Sequence, residues 1–183
     1  MATPFFSVIV PVFNRASLLG ATLRSVLVQS CQDFEIIVID DGSSDNPRAV
    51  VESLNDPRIR FIHQENQGGG TARNTGINAA SGRFIAPLDS DDTFLPHHLE
   101  SMKALLDGTE NVVGYARILV DRGDGRTMLK PPRAIRPDED MGEYTLCERG
   151  FVPTITIVVA RQMAQRVRYH PKLRAAEDVD FAI

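Results

Sequence analysis

Fold class is decided by the stretch FFSVIVPVFNRASLLGATLRSVLVQSCQDFEIIVID (residues 5–40), which joins two apolar runs through an amphipathic segment. The runs Phe5–Val10 and Phe34–Ile39 are continuous and rich in β-branched residues, which is typical of strands buried on both faces of a parallel sheet. Pro11 is expected to end the first strand. The segment Ala16–Gln29 has leucine and valine at helical spacing, so we predict a helix there.

The alternation of strand and helix continues along the chain. Ser44 or Asp45 is expected to cap the helix around Val51. Further strands are predicted at Arg58–His63 and Arg83–Leu88. Further helices are predicted at Thr71–Ala80 and from Pro96, which suits the first turn of a helix. The last helix is expected to place Leu99, Met102, Leu105 and Leu106 on its apolar face. Four such units predict an α/β, Rossmann-like fold with a mostly parallel central sheet flanked by helices.

The pattern changes after Gly108 and predicts a smaller region of mixed strands. We expect a long strand at Val112–Val120, a return strand at Thr127–Lys130 and a polar loop at Arg133–Glu143. Another strand is expected at Thr154–Ala160 and a helix at Arg161–Val167. Ala175–Ile183 reads as the start of a helix without a cap, so we expect the chain to be truncated at its C-terminus.

Composition excludes several classes of protein. The chain has 183 residues, 43% hydrophobic and 24% charged, which is typical of one globular domain. A net charge of −4 does not favour nucleic-acid binding. Cys31 and Cys147 are too few for a disulfide framework and are expected to be free thiols, the first in a loop. The sequence has no apolar run of about 20 residues and no signal-peptide pattern, so we expect a soluble chain without a transmembrane segment.

Acidic side chains follow two of the predicted strands. Asp40 and Asp41 come after the second strand, and Asp89 and Asp91 come after the fourth. The carboxyl ends of parallel strands share one edge of a sheet, where ligands of such folds bind. Carboxylate oxygens suit Mg²⁺ or Mn²⁺, and Mg²⁺ usually shares its shell with substrate phosphates. Taken singly, an aspartate at the end of a strand is more typical of a turn or a helix cap than of a ligand site.

The segment NQGGGTARN (residues 66–74) has features of an anion site. Its glycines, Gly68 among them, allow the backbone to approach a ligand, and the helix that starts near Thr71 offers free N–H groups. Arg73 would add a forked cation. The alternative is a flexible loop with a surface arginine. The spacing matches neither a dinucleotide-binding fingerprint nor a P-loop.

Taken together, these motifs resemble the family 2 glycosyltransferases, which have the GT-A fold. The matching stretches are SVIVPVFNR, DFEIIVIDDGSSD, NQGGGTARNTGINAASGRFIAPLDSDD and AEDVDF, at residues 7–15, 33–45, 66–92 and 176–181. Their order, spacing and residue types all agree with the family pattern.

The resemblance implies a nucleotide-sugar site, and with it roles for individual residues. Asp41 would hydrogen-bond the base, typically uracil, while Asp40 supports the turn. Asp91 would hold Mg²⁺ or Mn²⁺, and Asp89 would bind ribose or help to hold the metal's shell. Asp178 matches the general base of the family. The remaining residues of the expected site are Pro11, Phe13, Asn14, Gly68, Arg73 and Ser90.

The function implied is metal-dependent, inverting transfer of a hexosyl or N-acetylhexosaminyl group in glycan or polysaccharide synthesis. The donor would be a nucleoside-diphosphate sugar, expected to be UDP-linked, and the acceptor hydroxyl would belong to a polysaccharide, a lipid-linked glycan or a protein glycan. Residues 1–108 would form the nucleotide-sugar-binding half and 109–183 an incomplete acceptor-side half of one domain. The expected location is the cytoplasm, or the inner face of a membrane as a peripheral protein.

Two alternatives remain open at this point. The chain could be a nucleotide-sugar-binding module without catalysis, or a nucleotidyltransferase-like enzyme. A nucleotidyltransferase-like enzyme would be expected to have a glycine-rich loop with a basic residue directly after the first strand. Pro11–Arg15, which follows that strand here, contains no glycine.

Overall fold

Strands and helices alternate in the computed structural model, which describes residues 3–110, 112–131, 133–136, 138–140, 143–144 and 153–171. The strands are β1 (Phe6–Val12), β2 (Phe34–Asp41), β3 (Ile59–Gln64), β4 (Phe84–Pro87), β5 (Val113–Tyr115), β6 (Ile118–Asp121), β7 (Thr127–Lys130) and β8 (Ile157–Ala160). The helices are α1 (Ala16–Leu27), α2 (Pro47–Leu54), α3 (Gly69–Ala79), α4 (His98–Leu106) and α5 (Arg161–Val167), with a 3₁₀ turn at Thr154–Thr156.

The central sheet has six strands in the order β3-β2-β1-β4-β8-β5. Strands β1 to β4 run parallel, and β8 is antiparallel to both of its neighbours. This confirms the predicted α/β fold with a mostly parallel sheet. The chain moves outward from β1 to β2 and β3 and then returns to place β4 on the other side of β1. Ligands of such sheets usually bind at a reversal of this kind, in the crevice outside the carboxyl ends of the strands, which here are those of β1 and β4.

Helices cover both faces of the sheet, which is why β1 and β2 are apolar along nearly their whole length. Alternate residues of β1 point to opposite faces. Val8 and Val10 pack with the apolar sides of α1 and α4, whereas Ile9 packs with α3. The α3 side of the core also contains Tyr169, which lies beyond α5.

Strand β1 continues past Pro11, contrary to our expectation that this proline ends it. Pro11 pairs in register with Ile39 of β2. The missing N–H of Pro11 does no harm because it lies on the β4 side, where the pairing of β1 with β4 has already ended at Ile9. The strand is therefore longer than predicted and carries its last residues into the crevice.

The start of α2 also differs from the prediction. Asn46, in the left-handed conformation, occupies the cap position, rather than Ser44 or Asp45. The Asp45 carboxylate instead accepts a 2.8 Å hydrogen bond from the backbone N–H of Ala16. It thus satisfies an amide at the start of α1, a helix that is distant in sequence.

Two further predictions needed correction. The single strand expected at Val112–Val120 is two strands, because β5 joins the central sheet while β6 pairs with β7 in a separate hairpin. Helix α4 begins at His98, so Pro96 precedes it, and Leu105 is exposed rather than part of the apolar face. The predicted return strand at Thr127–Lys130 is confirmed as β7.

None of the helices in the described ranges combines the length and apolar character that crossing a bilayer requires.

Candidate functional site

Asp41 lies at the end of β2 and is almost completely buried. One of its oxygens accepts hydrogen bonds from the Gln64 side chain at 2.7 Å and the Gln67 N–H at 3.0 Å. The other oxygen accepts the N–H of Gly68 at 2.8 Å. The Thr75 hydroxyl in turn donates to the side-chain oxygen Oε1 of Gln64 at 2.7 Å. The Asp41 carboxylate therefore fixes the loop that leads into α3.

Asp40, the neighbouring residue of β2, holds the turn that follows the strand. Its carboxylate accepts the Ser43 N–H at 2.9 Å and lies 2.9 Å from Nδ1 of His63 on β3. Burial alone would raise the pKa of Asp40, but the hydrogen bonds from Ser43 and His63 keep it below its ordinary value. The carboxylate is thus ionised and committed to structure.

Asn14 connects the loop after β1 to the loop after β2. Its backbone has a φ of 52°, and its side-chain oxygen accepts hydrogen bonds from the N–H and the hydroxyl of Ser44 at 2.9 and 3.1 Å. The adjacent Phe13 is 48% exposed although it follows a buried strand. The structure thus brings these two predicted residues, with Pro11 of β1, to the carboxyl edge.

Helix α3 starts beside this edge and is shaped by two glycines. Gly68 precedes the helix with a φ of 91°, a conformation that disfavours any residue with a Cβ. Gly70 lies in the first turn, and a Cβ on it would come 3.3 Å from Cβ of Tyr169. The glycine at Gly68 is therefore required by the conformation of the loop. The glycine at Gly70 makes room for the chain that follows α5.

Arg73 projects from α3 to the residues that follow β4. Its Nη2 lies 2.6 Å from an oxygen of Asp89, and the arginine is 7% exposed. Its guanidinium carbon also lies 5.4 Å from the centre of the Tyr169 ring. Arg73 therefore links α3 to the first aspartate of the motif Asp89-Ser90-Asp91 at the edge of the sheet.

Asp91, the second aspartate of the motif, is exposed and forms a salt bridge with Arg15. Ser90 between the two aspartates is buried, and its carbonyl accepts a 2.9 Å hydrogen bond from Thr22 of α1. This bond anchors the motif to α1 while the side chain of Asp91 faces outward.

Negative charge accumulates around Asp91. Burial, together with the charges of Asp89 and Asp91, raises the pKa of Asp92 to about 6, and Arg15 offsets only part of this effect. Three carboxylates within four residues of sequence thus concentrate negative charge at this part of the edge.

The described residues contain no cluster of three or more His, Cys, Asp or Glu side chains that could hold a metal ion by itself. One or two carboxylates are nevertheless what a protein usually contributes to Mg²⁺ bound on a substrate phosphate. Asp91 meets that requirement, and the side chain of Asp89, although it is paired with Arg73, is 31% exposed. The donor set therefore fits a cation held jointly with a diphosphate.

Asp178 lies outside the described residues, so its role as a base stays a prediction. Sequence reasoning missed Arg15, Gln64 and Tyr169 as neighbours of the site. Gln64 ends β3 and could have been found by applying the strand-end rule to every strand. Tyr169 had no local signal, because its contacts with α3 connect residues far apart in sequence.

Two solved structures illustrate the fold that this chain shares with known proteins. Staphylococcus aureus TarS, in a structure in complex with UDP-GlcNAc, superposes with a TM-score of 0.80 at 24% identity, over 97% of this chain and 52% of that one. The mannosyltransferase PcManGT of Pyrobaculum calidifontis, solved with GDP-Man and Mn²⁺, gives a TM-score of 0.66 at 18% identity, over 97% of this chain and 50% of that one. The fold is thus the GT-A fold of glycosyltransferases.

A model of the family described as Glycosyl transferase family 2 matches residues 7–173, and the chain belongs to this family. An uncharacterized glycosyltransferase of Nostoc sp. is 34% identical over 88% of this chain and 52% of its own length. The amylovoran biosynthesis glycosyltransferase AmsB of Erwinia amylovora is 27% identical over 97% of this chain and 62% of its own length. The chain thus spans about half to two thirds of these relatives.

Proposed function

We propose that this chain binds a nucleoside-diphosphate sugar, expected to be a UDP-sugar, together with Mg²⁺ or Mn²⁺ at the carboxyl edge of its sheet. The complete enzyme would transfer a hexosyl or N-acetylhexosaminyl group to an acceptor hydroxyl with inversion at the anomeric carbon. The names of AmsB and of the succinoglycan biosynthesis protein ExoO of Rhizobium meliloti support polysaccharide synthesis as the setting.

The observation that carries this proposal is the continuous set of contacts from Asp41 to Asp91. Asp41 binds the loop that starts α3, Arg73 of α3 binds Asp89, and Asp91 lies two residues further on. The N-terminus of α3, the buried Arg73 and the outward-facing Asp91 thus lie near the carboxyl ends of β1 and β4, where the direction of the chain across the sheet reverses. A diphosphate requires this combination of N–H donors and positive charge.

Each group would act on the donor through its charge. Arg73 would bind phosphate oxygens with its forked N–H groups, and the N-terminus of α3 would add its partial positive charge. Asp91 would exchange its salt bridge with Arg15 for the cation. Arg15, released from Asp91, would then face the diphosphate. The cation, when bound, supplies positive charge that stabilises the departing nucleoside diphosphate.

We assign the general base to Asp178 on the strength of the family motif. Its carboxylate would take the proton from the acceptor hydroxyl as the oxygen attacks the anomeric carbon opposite the leaving group. A single displacement of this kind inverts the anomeric centre. Residues 1–108 would hold the donor, and 109–183 would contribute the acceptor side of the same domain.

Calorimetric titration tests the binding step. UDP and GDP are titrated into the wild-type protein with Mn²⁺, with Mg²⁺ and with EDTA. We expect UDP to bind in the presence of the cation and Asp91→Ala to weaken that binding about 10-fold or more. Glu52→Ala removes an equal charge from the exposed face of α2 and is the matched control. Equal UDP binding with EDTA would reject the metal's role.

Transfer itself is tested in the full-length protein. Asp178→Asn should lower the rate of sugar transfer by about 100- to 10,000-fold while leaving UDP binding intact. Cation-dependent UDP binding without any transfer or donor hydrolysis would instead identify a binding module. Undiminished transfer by Asp178→Asn would remove this residue as the base.

A further inference from the structure

Tyr169 follows α5 and returns the chain to the start of α3. Its side chain is 1% exposed and is among the largest fully buried side chains of the described residues. Gly70 of α3 lies directly beneath it, and the absence of a Cβ at this position allows the close approach. The first turn of α3, proposed above to face the diphosphate, is thus covered on one side by Tyr169.

Asn74 fixes the backbone of Tyr169 with two hydrogen bonds. The Asn74 amide nitrogen donates to the Tyr169 carbonyl at 2.8 Å, and its oxygen accepts the Tyr169 N–H at 3.0 Å. The preceding Arg168 donates to the side chain of Asn78 at 2.5 Å. Gly70, Asn74 and Asn78 follow one another at intervals of four residues, so one face of α3 receives this segment.

The ring of Tyr169 lies beside Arg73, which is adjacent to Asn74 on α3. The guanidinium carbon is 5.4 Å from the ring centre, within the range of a cation–π contact. Nη2 of the same guanidinium lies 2.6 Å from an oxygen of Asp89. The ring and the carboxylate are thus two of the contacts that hold the guanidinium of Arg73 beside the residues that follow β4.

We propose that Tyr169, fixed by Asn74, is a positioning residue that orients Arg73 for the diphosphate of the donor. This inference rests on the proposed function and adds to it a specific dependence of donor binding on the chain after α5. Tyr169 acts through Arg73 and need not touch the nucleotide. Tyr169, which precedes the proposed base Asp178 in the chain, thereby also completes the donor site.

A double-mutant cycle measured by UDP titration with Mn²⁺ tests the proposal. Tyr169→Leu removes the ring and should weaken UDP binding about 2- to 30-fold, the loss of one cation–π contact. Tyr169→Phe keeps the ring and should restore most of the affinity. In an Arg73→Met background, Tyr169→Leu should cause no further loss, because the residue through which it acts is gone.

A second variant avoids the cavity that Tyr169→Leu could leave in the core. Asn74→Asp keeps the size of the side chain and the acceptor for the Tyr169 N–H, but it sets an oxygen against the Tyr169 carbonyl. We expect this variant to weaken UDP binding, again only where Arg73 is present, and circular dichroism confirms that each variant is folded.

The outcomes separate the inference from the proposed function. Wild-type affinity in both Tyr169→Leu and Asn74→Asp would overturn the positioning role, as would equal losses with and without Arg73. A wild-type protein that binds no nucleoside diphosphate would overturn the proposed function and the inference with it.

Discussion

Replacing Asp41 with asparagine tests the loop that forms the start of the site. The carboxylate is 3% exposed and accepts three hydrogen bonds, from the side chain of Gln64 and from the backbone N–H groups of Gln67 and Gly68. Asparagine has only one acceptor oxygen. In one orientation its NH₂ group faces the N–H of Gly68, and in the other it faces the N–H of Gln67. Either orientation leaves one part-buried backbone N–H without its acceptor.

The magnitude follows from this single loss. A hydrogen bond to a charged group contributes about 1.5–3 kcal/mol, and an unpaired buried donor costs a similar amount. We therefore expect Asp41→Asn to lower the free energy of unfolding by about 2 kcal/mol. With an m-value of about 2 kcal/mol/M, the urea midpoint should fall by about 1 M.

Urea unfolding followed by circular dichroism at pH 7 measures this change. Glu52→Gln makes the same chemical substitution on an exposed side chain and should change stability by no more than about 0.5 kcal/mol. An Asp41→Asn midpoint within error of the wild type would refute the role assigned to this carboxylate.

Three further changes probe other parts of the molecule. Gly76→Ala should lower the melting temperature through an overpacking cost of about 1–3 kcal/mol, because the new Cβ would clash with Cγ2 of Ile9. Burial lowers the pKa of His98 to about 4, so the unfolded state binds more protons between pH 6.5 and 4. Stability should therefore fall as the pH falls through that range, by less in His98→Gln, and an equal slope in both proteins would contradict this. Arg15 and a cation compete for the Asp91 carboxylate. Arg15→Ala should therefore strengthen Mn²⁺ binding to the donor-free protein by at most about five-fold in a calorimetric titration. Weaker Mn²⁺ binding by this variant would contradict that competition.

The sheet and its ligand edge could be predicted because their causes are local. Continuous apolar runs such as Phe34–Ile39 identify strands buried on both faces, and in a parallel sheet their carboxyl ends must share an edge. The positions of Asp41 and Asp91 at that edge follow directly. Strand ends were less predictable, since Pro11 is tolerated only because β4 stops beside it.

Contacts between distant segments could not be predicted in the same way. The sequence shows three adjacent glycines, but the reason for Gly70 is a tyrosine on a segment that follows another helix. Asn74 and Tyr169 are 95 residues apart, and no periodicity connects them. The salt bridge between Arg15 and Asp91 likewise depends on the exact path of two loops. Such partners are set by tertiary packing.

Crystals grown with UDP and Mn²⁺ offer the most direct test of the central claim, because anomalous scattering locates manganese without reference to the protein. We predict a manganese peak bonded to an Asp91 oxygen and to the diphosphate, with Arg73 on the phosphates. A peak and a nucleotide found away from the carboxyl ends of β1 and β4 would contradict the account.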